Sequence, residues 1–243
     1  MIEEQAVAGP TDEKPASRWE DYIDVFISPA ELFRRRAHDK VSTPLLTLMG
    51  IGVVLYFVLL PANQMIMRAS IPDDPNAAQF MERLGGVFTI IGAVMVPVVY
   101  GLMVAVSAGL LWLVGRFASI RIDYNRAALI ATYSAFIFLL ASTLALVAVV
   151  IHGEAGLDIV RDVSFGPLRF VGSEEMNASL SALLRRFELF TLWQAALWAI
   201  GIREIYKVST MHAGVVAGFA WLLGAIPGVI MGALGIGQAG AGG

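Results

Sequence analysis

The chain has 243 residues, 57% of them hydrophobic and 15% charged, with a formal net charge of −3 and no cysteine. Soluble domains carry about 25% charged residues, so this composition leaves too few polar groups to cover a water-facing surface; together with a mean hydropathy of +0.71 it indicates an integral membrane protein. The mild acidity excludes the basic field that nucleic acid requires, and the lack of cysteine excludes disulfides, thiolate metal sites and iron–sulfur clusters.

Residues 1–18 are polar and acidic and contain Pro10 and Pro15, which reads as a disordered tail. The first 25 residues hold no apolar run of the secretory type, so the first span is expected to direct its own insertion. In the region 19–43, Trp19, Tyr22, Ile23 and Phe26 recur at helical spacing and predict a short N-terminal amphipathic surface helix. Ser28 is placed to cap a second helix, with Pro29 at its first position and Glu31 completing a capping box; Ile27 and Leu32 are placed as a hydrophobic staple. That helix would carry Arg34, Arg35 and Arg36, with Lys40 just beyond, toward the anionic headgroups of the inner leaflet. The same pattern also fits a partner-docking helix, or a lead-in that merely orients the first span.

No Asp, Glu, Lys or Arg occurs in 41–67, 84–115, 127–153 or 208–243. A helix needs roughly 20 apolar residues to cross the hydrocarbon core. These gaps therefore predict spans at about 44–61, 88–114, 128–151 and 212–235, the last followed by a Gly/Ala-rich tail over 236–243. A further span at 186–206 is less apparent. Its apolar centre, 189–202, is short, and Arg185, Arg186, Arg203 and Lys207 must snorkel toward the two interfaces. The expected fold is an all-α bundle of five transmembrane helices over 44–235. Basic residues set its orientation: segments 31–43, 116–126 and 203–210 carry nine Lys or Arg, against six in the longer segments 62–86 and 152–186. The N-terminus is thus expected inside and the C-terminus outside.

In the outer segments, Pro72 and Pro75 frame a turn, with Asn76 and Gln79 capping the helix that follows. Residues Leu157–Phe165 alternate weakly, as a short strand would, up to the break at Gly166-Pro167. No catalytic, cofactor or metal constellation emerges. His38, His152 and His212 lack ligand spacing, and no clean span has an ionised group at its centre, as a proton-coupled transporter normally would. Glu188, the carboxylate nearest a span, is expected to pair with Arg185 or Arg186 one turn away.

Small residues give the strongest local pattern. Gly214 and Gly218, then Gly224, Gly228 and Gly232, follow one another at four-residue steps; Gly101, Ala105 and Gly109 repeat that register in the second span. Such spacing lets helix backbones approach closely, within the monomer or between subunits. Pro97 and Pro227, each inside a span, predict kinks or local unwinding.

Several short motifs, in this order, resemble the Yip domain family (Ypt-interacting proteins) in its prokaryotic branch. They are Ser28-Pro-Ala-Glu-Leu-Phe33, Gly85-Gly86, Tyr124-Asn-Arg-Ala-Ala128 with Tyr133-Ser134, and Leu189-Phe-Thr-Leu-Trp193 with Leu197 and Gly201. The resemblance covers roughly residues 20–235 and implies a five-helix bundle in a prokaryotic inner membrane with a cytosolic N-terminus. Eukaryotic relatives are linked to Rab-type GTPases, vesicle transport and membrane shaping. Their Asp-Leu-Tyr-Gly-Pro motif is missing, and Ser134 is followed by Ala135 where prokaryotic relatives commonly have proline. GTPase binding therefore does not carry over, and the resemblance brings no catalytic residues.

The expectation is a non-enzymatic scaffold or interaction subunit without cofactors. Its partners would be the bilayer with its anionic headgroups and either further copies of the chain or other membrane subunits. The alternative is a small transporter or channel with the kinked second and fifth spans lining a path. Orientation has a direct check: a Gly240→Cys variant of this cysteine-free chain should be labelled by an impermeant maleimide from outside intact cells, and labelling from the cytoplasmic side alone would sink the five-span order.

Overall fold

The computed structural model describes residues 18–69, 75–152, 164–171 and 178–234, and among these no strand occurs. The helices are α1 (Arg18–Ile27), α2 (Pro29–Arg35), α3 (Ser42–Val58), α4 (Leu60–Ala69), α5 (Pro75–Phe117), α6 (Tyr124–His152), α7 (Ala178–Leu184), α8 (Leu189–Tyr206), α9 (Thr210–Leu223) and α10 (Ile226–Ala233). Single 3-10 turns cover Pro167–Phe170 and Arg185–Phe187. The predicted tails and residues 70–74 of the predicted turn lie outside the described residues, apart from Arg18, which opens α1. Only Ser164 and Phe165 of the suggested strand are described, and neither is in a strand.

Three helical stretches, Gly85–Phe117, Tyr124–Ile151 and Thr210–Ile230, are long and apolar enough to cross a membrane; Ser42–Val58 is apolar but shorter. The expected span at 186–206 corresponds to the 18 residues of α8, whose last turns carry Arg203 and Glu204. The last span is interrupted: α9 stops at Leu223, and Pro227 is the second residue of α10. The helix around Pro97, by contrast, runs unbroken from Pro75 to Phe117.

α6 is the centre of the fold. Every residue from Ala127 to Ile137 is buried, which a helix achieves only with neighbours on all sides. α5, α8 and α3 supply most of the neighbours of α6, and α4 and α1 also pack on it. Beyond Leu139 the helix turns Leu140, Leu144, Val147 and Val150 outward. On α5, Val87, Ile90, Val94, Val98 and Leu102 are likewise exposed. In a bilayer such side chains meet acyl chains, so they carry no penalty.

Glycines set the closest helix approaches, though not chiefly those picked out by the four-residue rule. A Cβ at Gly201 of α8 would lie 2.9 Å from Ile130 of α6, and one at Gly52 of α3 would lie 2.7 Å from the ring of Tyr100 on α5. Gly92 of α5 lies against Tyr56 of α3 in the same way. A Cβ at Gly214 or Gly218 would meet nothing within 4 Å.

These contacts predict opposite outcomes for one substitution at two glycines. Gly201→Leu should cost about 1–3 kcal/mol through overpacking, read as a lowered thermal midpoint in detergent. Gly214→Leu should leave that midpoint unchanged.

Candidate functional site

α1 and α2 are separated by Ser28 alone and form a hairpin. Ser28 occupies the cap position of α2 as expected, but the capping box is not made. Its N–H, the donor that Glu31 would have to capture, already bonds Asp24 O at 2.8 Å as the continuation of α1. The staple is not made either: Ile27 is exposed while Leu32 is fully buried.

The hairpin is fastened by charge and by aromatic rings. Asp21 is only 2% exposed. Its Oδ1 accepts from Arg35 at 2.6 Å and its Oδ2 from Arg36 at 2.8 Å. Arg35 also bonds Asp24 at 2.6 Å, and Arg36 reaches Asp39 at 3.3 Å. Partial burial opposes the charge on Arg35, but its bonds to Asp24 and Asp21 outweigh that and raise its pKa above the ordinary arginine value. Tyr22 stacks on Phe136 of α6 with centroids 4.9 Å apart, and its hydroxyl donates to Thr47 of α3. Phe26 meets Trp193 of α8 edge-on, and Phe33 meets Tyr133 of α6.

Three short connections gather at this end of the bundle. Arg34 pairs with Glu204 at 3.4 Å, Arg126 lies 3.5 Å from His38, and the Asp123 N–H donates to the Tyr206 hydroxyl at 3.2 Å. Glu204 also receives Arg203 and Lys207. The loops that the charge count assigned to one side therefore do meet, at what is here termed the basic end. Of the four side chains expected to contact lipid, Arg35 and Arg36 are turned onto the hairpin's own carboxylates and Arg34 onto Glu204. Lys40 has no partner among the described residues. A cavity of about 250 Å³ opens beside the hairpin, with Arg18, Asp21, His38, Asp39, Lys40 and Tyr133 on its walls.

The opposite end is tied by Glu188, though not through Arg185 or Arg186. Its carboxylate accepts from Ser164 Oγ at 2.7 Å and from the Phe165 N–H at 2.8 Å, holding the 164–171 segment against the start of α8. Segment and helix enclose a second cavity of about 350 Å³ whose walls include Phe138, Ser142, Ser164, Arg185 and Glu188. Arg186 lies on Gly224, at the interruption between α9 and α10. A Cβ at Gly228 would stand 3.2 Å from Ala182 of α7, and the Ser179 hydroxyl donates to Val229 O across the same contact.

The other glycines of the four-residue pattern differ among themselves. Gly101 faces the flexible tip of Met49, Gly109 faces open space, and the surroundings of Gly232 lie outside the described residues. No group of acidic and histidine residues suited to a metal ion occurs among the described residues.

Sequence reasoning missed the Asp21 clamp. Its signal was available: Asp21 and Asp24 lie close before three consecutive arginines in a segment already expected to fold as two short helices. Asp21→Asn should cost about 2–3 kcal/mol, below the figure for a fully buried pair because Arg35 and Arg36 keep some access to water. A thermal midpoint that does not move would assign the hairpin to apolar packing alone.

The model of one protein family, the Yip1 domain, matches residues 23–231. No curated protein and no solved structure matches the chain.

Proposed function

We propose, from the premise that the chain belongs to the Yip1 domain family, that it acts as a non-enzymatic interaction or scaffold subunit inside a membrane. In this reading α3, α5, α6, α8 and the interrupted α9–α10 cross the bilayer of a prokaryotic inner membrane in turn, with the basic end in the cytoplasm. The basic residues gathered at one end support that orientation.

One observation carries the interaction role. Gly214 and Gly218, one helical turn apart on α9, have no neighbour within 4 Å, while Val215, Phe219 and Leu222 of the same helix are exposed. Small residues in that register allow close backbone approach, and the monomer does not use them for it. A helix from a second copy or from another membrane subunit is the fitting occupant. The transporter alternative gains nothing from the two cavities, since neither is lined by α5, α9 or α10. GTPase binding forms no part of the proposal.

Gly218→Leu should abolish or sharply reduce the higher-mass species seen by native mass spectrometry from gently solubilised membranes, with the thermal midpoint preserved. A variant that assembles like the parent protein would remove α9 as the contact.

A further inference from the structure

The cavity beside the hairpin is lined by groups of two kinds. Its carboxylates are already engaged: both oxygens of Asp21 accept from arginines, and Asp39 is met by Arg36. The remaining groups are cations and donors. Arg18 and Lys40 have no partner among the described residues. Tyr133, a residue only 3% exposed, lines the cavity, and its hydroxyl has no hydrogen bond among the described residues. Arg126 can only donate, so it meets His38 at an accepting Nδ1. Thr43 and Pro44, in the first turn of α3, complete the wall, so the positive end of that helix faces the same space. The Tyr133 hydroxyl in that position has its proton free to donate to a bound acceptor. The groups left free suit an anion rich in acceptors.

The flank of the cavity narrows the chemistry further. Trp19, Ile23 and Ile27 recur every fourth residue along α1 and are 73%, 60% and 71% exposed. Arg18 and Tyr22, on the same helix, line the cavity. An apolar ridge therefore runs directly beside a cationic, donor-lined recess, the pairing that a lipid presents through its acyl chains and its phosphate.

We propose that this cavity binds the phosphate of an anionic phospholipid headgroup, with Lys40 and Arg18 supplying charge, Tyr133 a directed hydrogen bond, and Trp19, Ile23 and Ile27 resting on the acyl chains. The site is independent of the α9 contact, so either assignment can fail without the other.

Native mass spectrometry of the full-length protein in detergent, titrated separately with phosphatidylglycerol and phosphatidylcholine, tests it through the apparent Kd of the first lipid retained. Phosphatidylglycerol should bind about tenfold more tightly, and Tyr133→Phe or Lys40→Gln should each erase most of that preference. Arg121→Gln, a change to an exposed cation away from the cavity, should not. If Tyr133→Phe lowers the thermal midpoint, Arg18→Gln in the same cavity reads out the same loss. Equal affinity for the two lipids, or a preference that survives these cavity changes, would overturn the proposal. Displacement of bound phosphatidylglycerol by low millimolar inorganic phosphate would assign the recess to a free anion and overturn the lipid assignment.

Discussion

Asp21 sits almost fully buried between the guanidinium groups of Arg35 and Arg36, and much of the basic end follows from that arrangement. A carboxylate removed from water is tolerable only when its charge is met and its lone pairs are filled. Meeting it from α2 and the turn beyond fixes the angle at Ser28 and folds α1 back on α2. The folded hairpin then presents Tyr22, Phe26 and Phe33 to Phe136, Trp193 and Tyr133. α1 thereby joins α3, α5 and α8 around α6, which is buried over three consecutive turns. The same folding leaves Lys40 and Arg18 without a carboxylate partner among the described residues, on the cavity that Tyr133 also lines.

Glycine serves two purposes in the bundle. At Gly52, Gly92 and Gly201 its missing side chain makes room for a bulky partner on the neighbouring helix. At Gly214 and Gly218 a Cβ would meet nothing within 4 Å among the described residues. Spacing alone could not separate these cases. The four-residue rhythm includes the two open positions of α9, whereas the tight contacts at Gly52 and Gly201 rest on isolated glycines whose partners are the large residues Tyr100 and Ile130.

Local rules read a position correctly and its bonding less well. Ser28 stands at the start of α2, yet its N–H is held by α1, because two helices joined by a single residue compete for the same donor. Glu188 stands at the start of α8, yet it is satisfied by Ser164 and the Phe165 N–H, more than twenty residues away, rather than by the arginines one turn before it. In each case the sequence placed the residue, and a partner distant along the chain or already bonded decided what it holds. Of the residues named for lipid contact, Lys40 alone has no partner among the described residues.

The sequence by itself determined the helices that run apolar for the thickness of a membrane, the segments that join them, the family, and the sharing of basic residues between the two sides. These follow from charge-free length and from Lys and Arg counts, which do not depend on contact. Only the tertiary structure decided which apolar face is core and which meets lipid, which glycines are filled, and which cations are already paired. In water the hydrophobic effect makes an apolar stripe report its own burial. In a bilayer an outward Val94 and a buried Leu129 are equally at home, so pattern loses that information and packing alone supplies it.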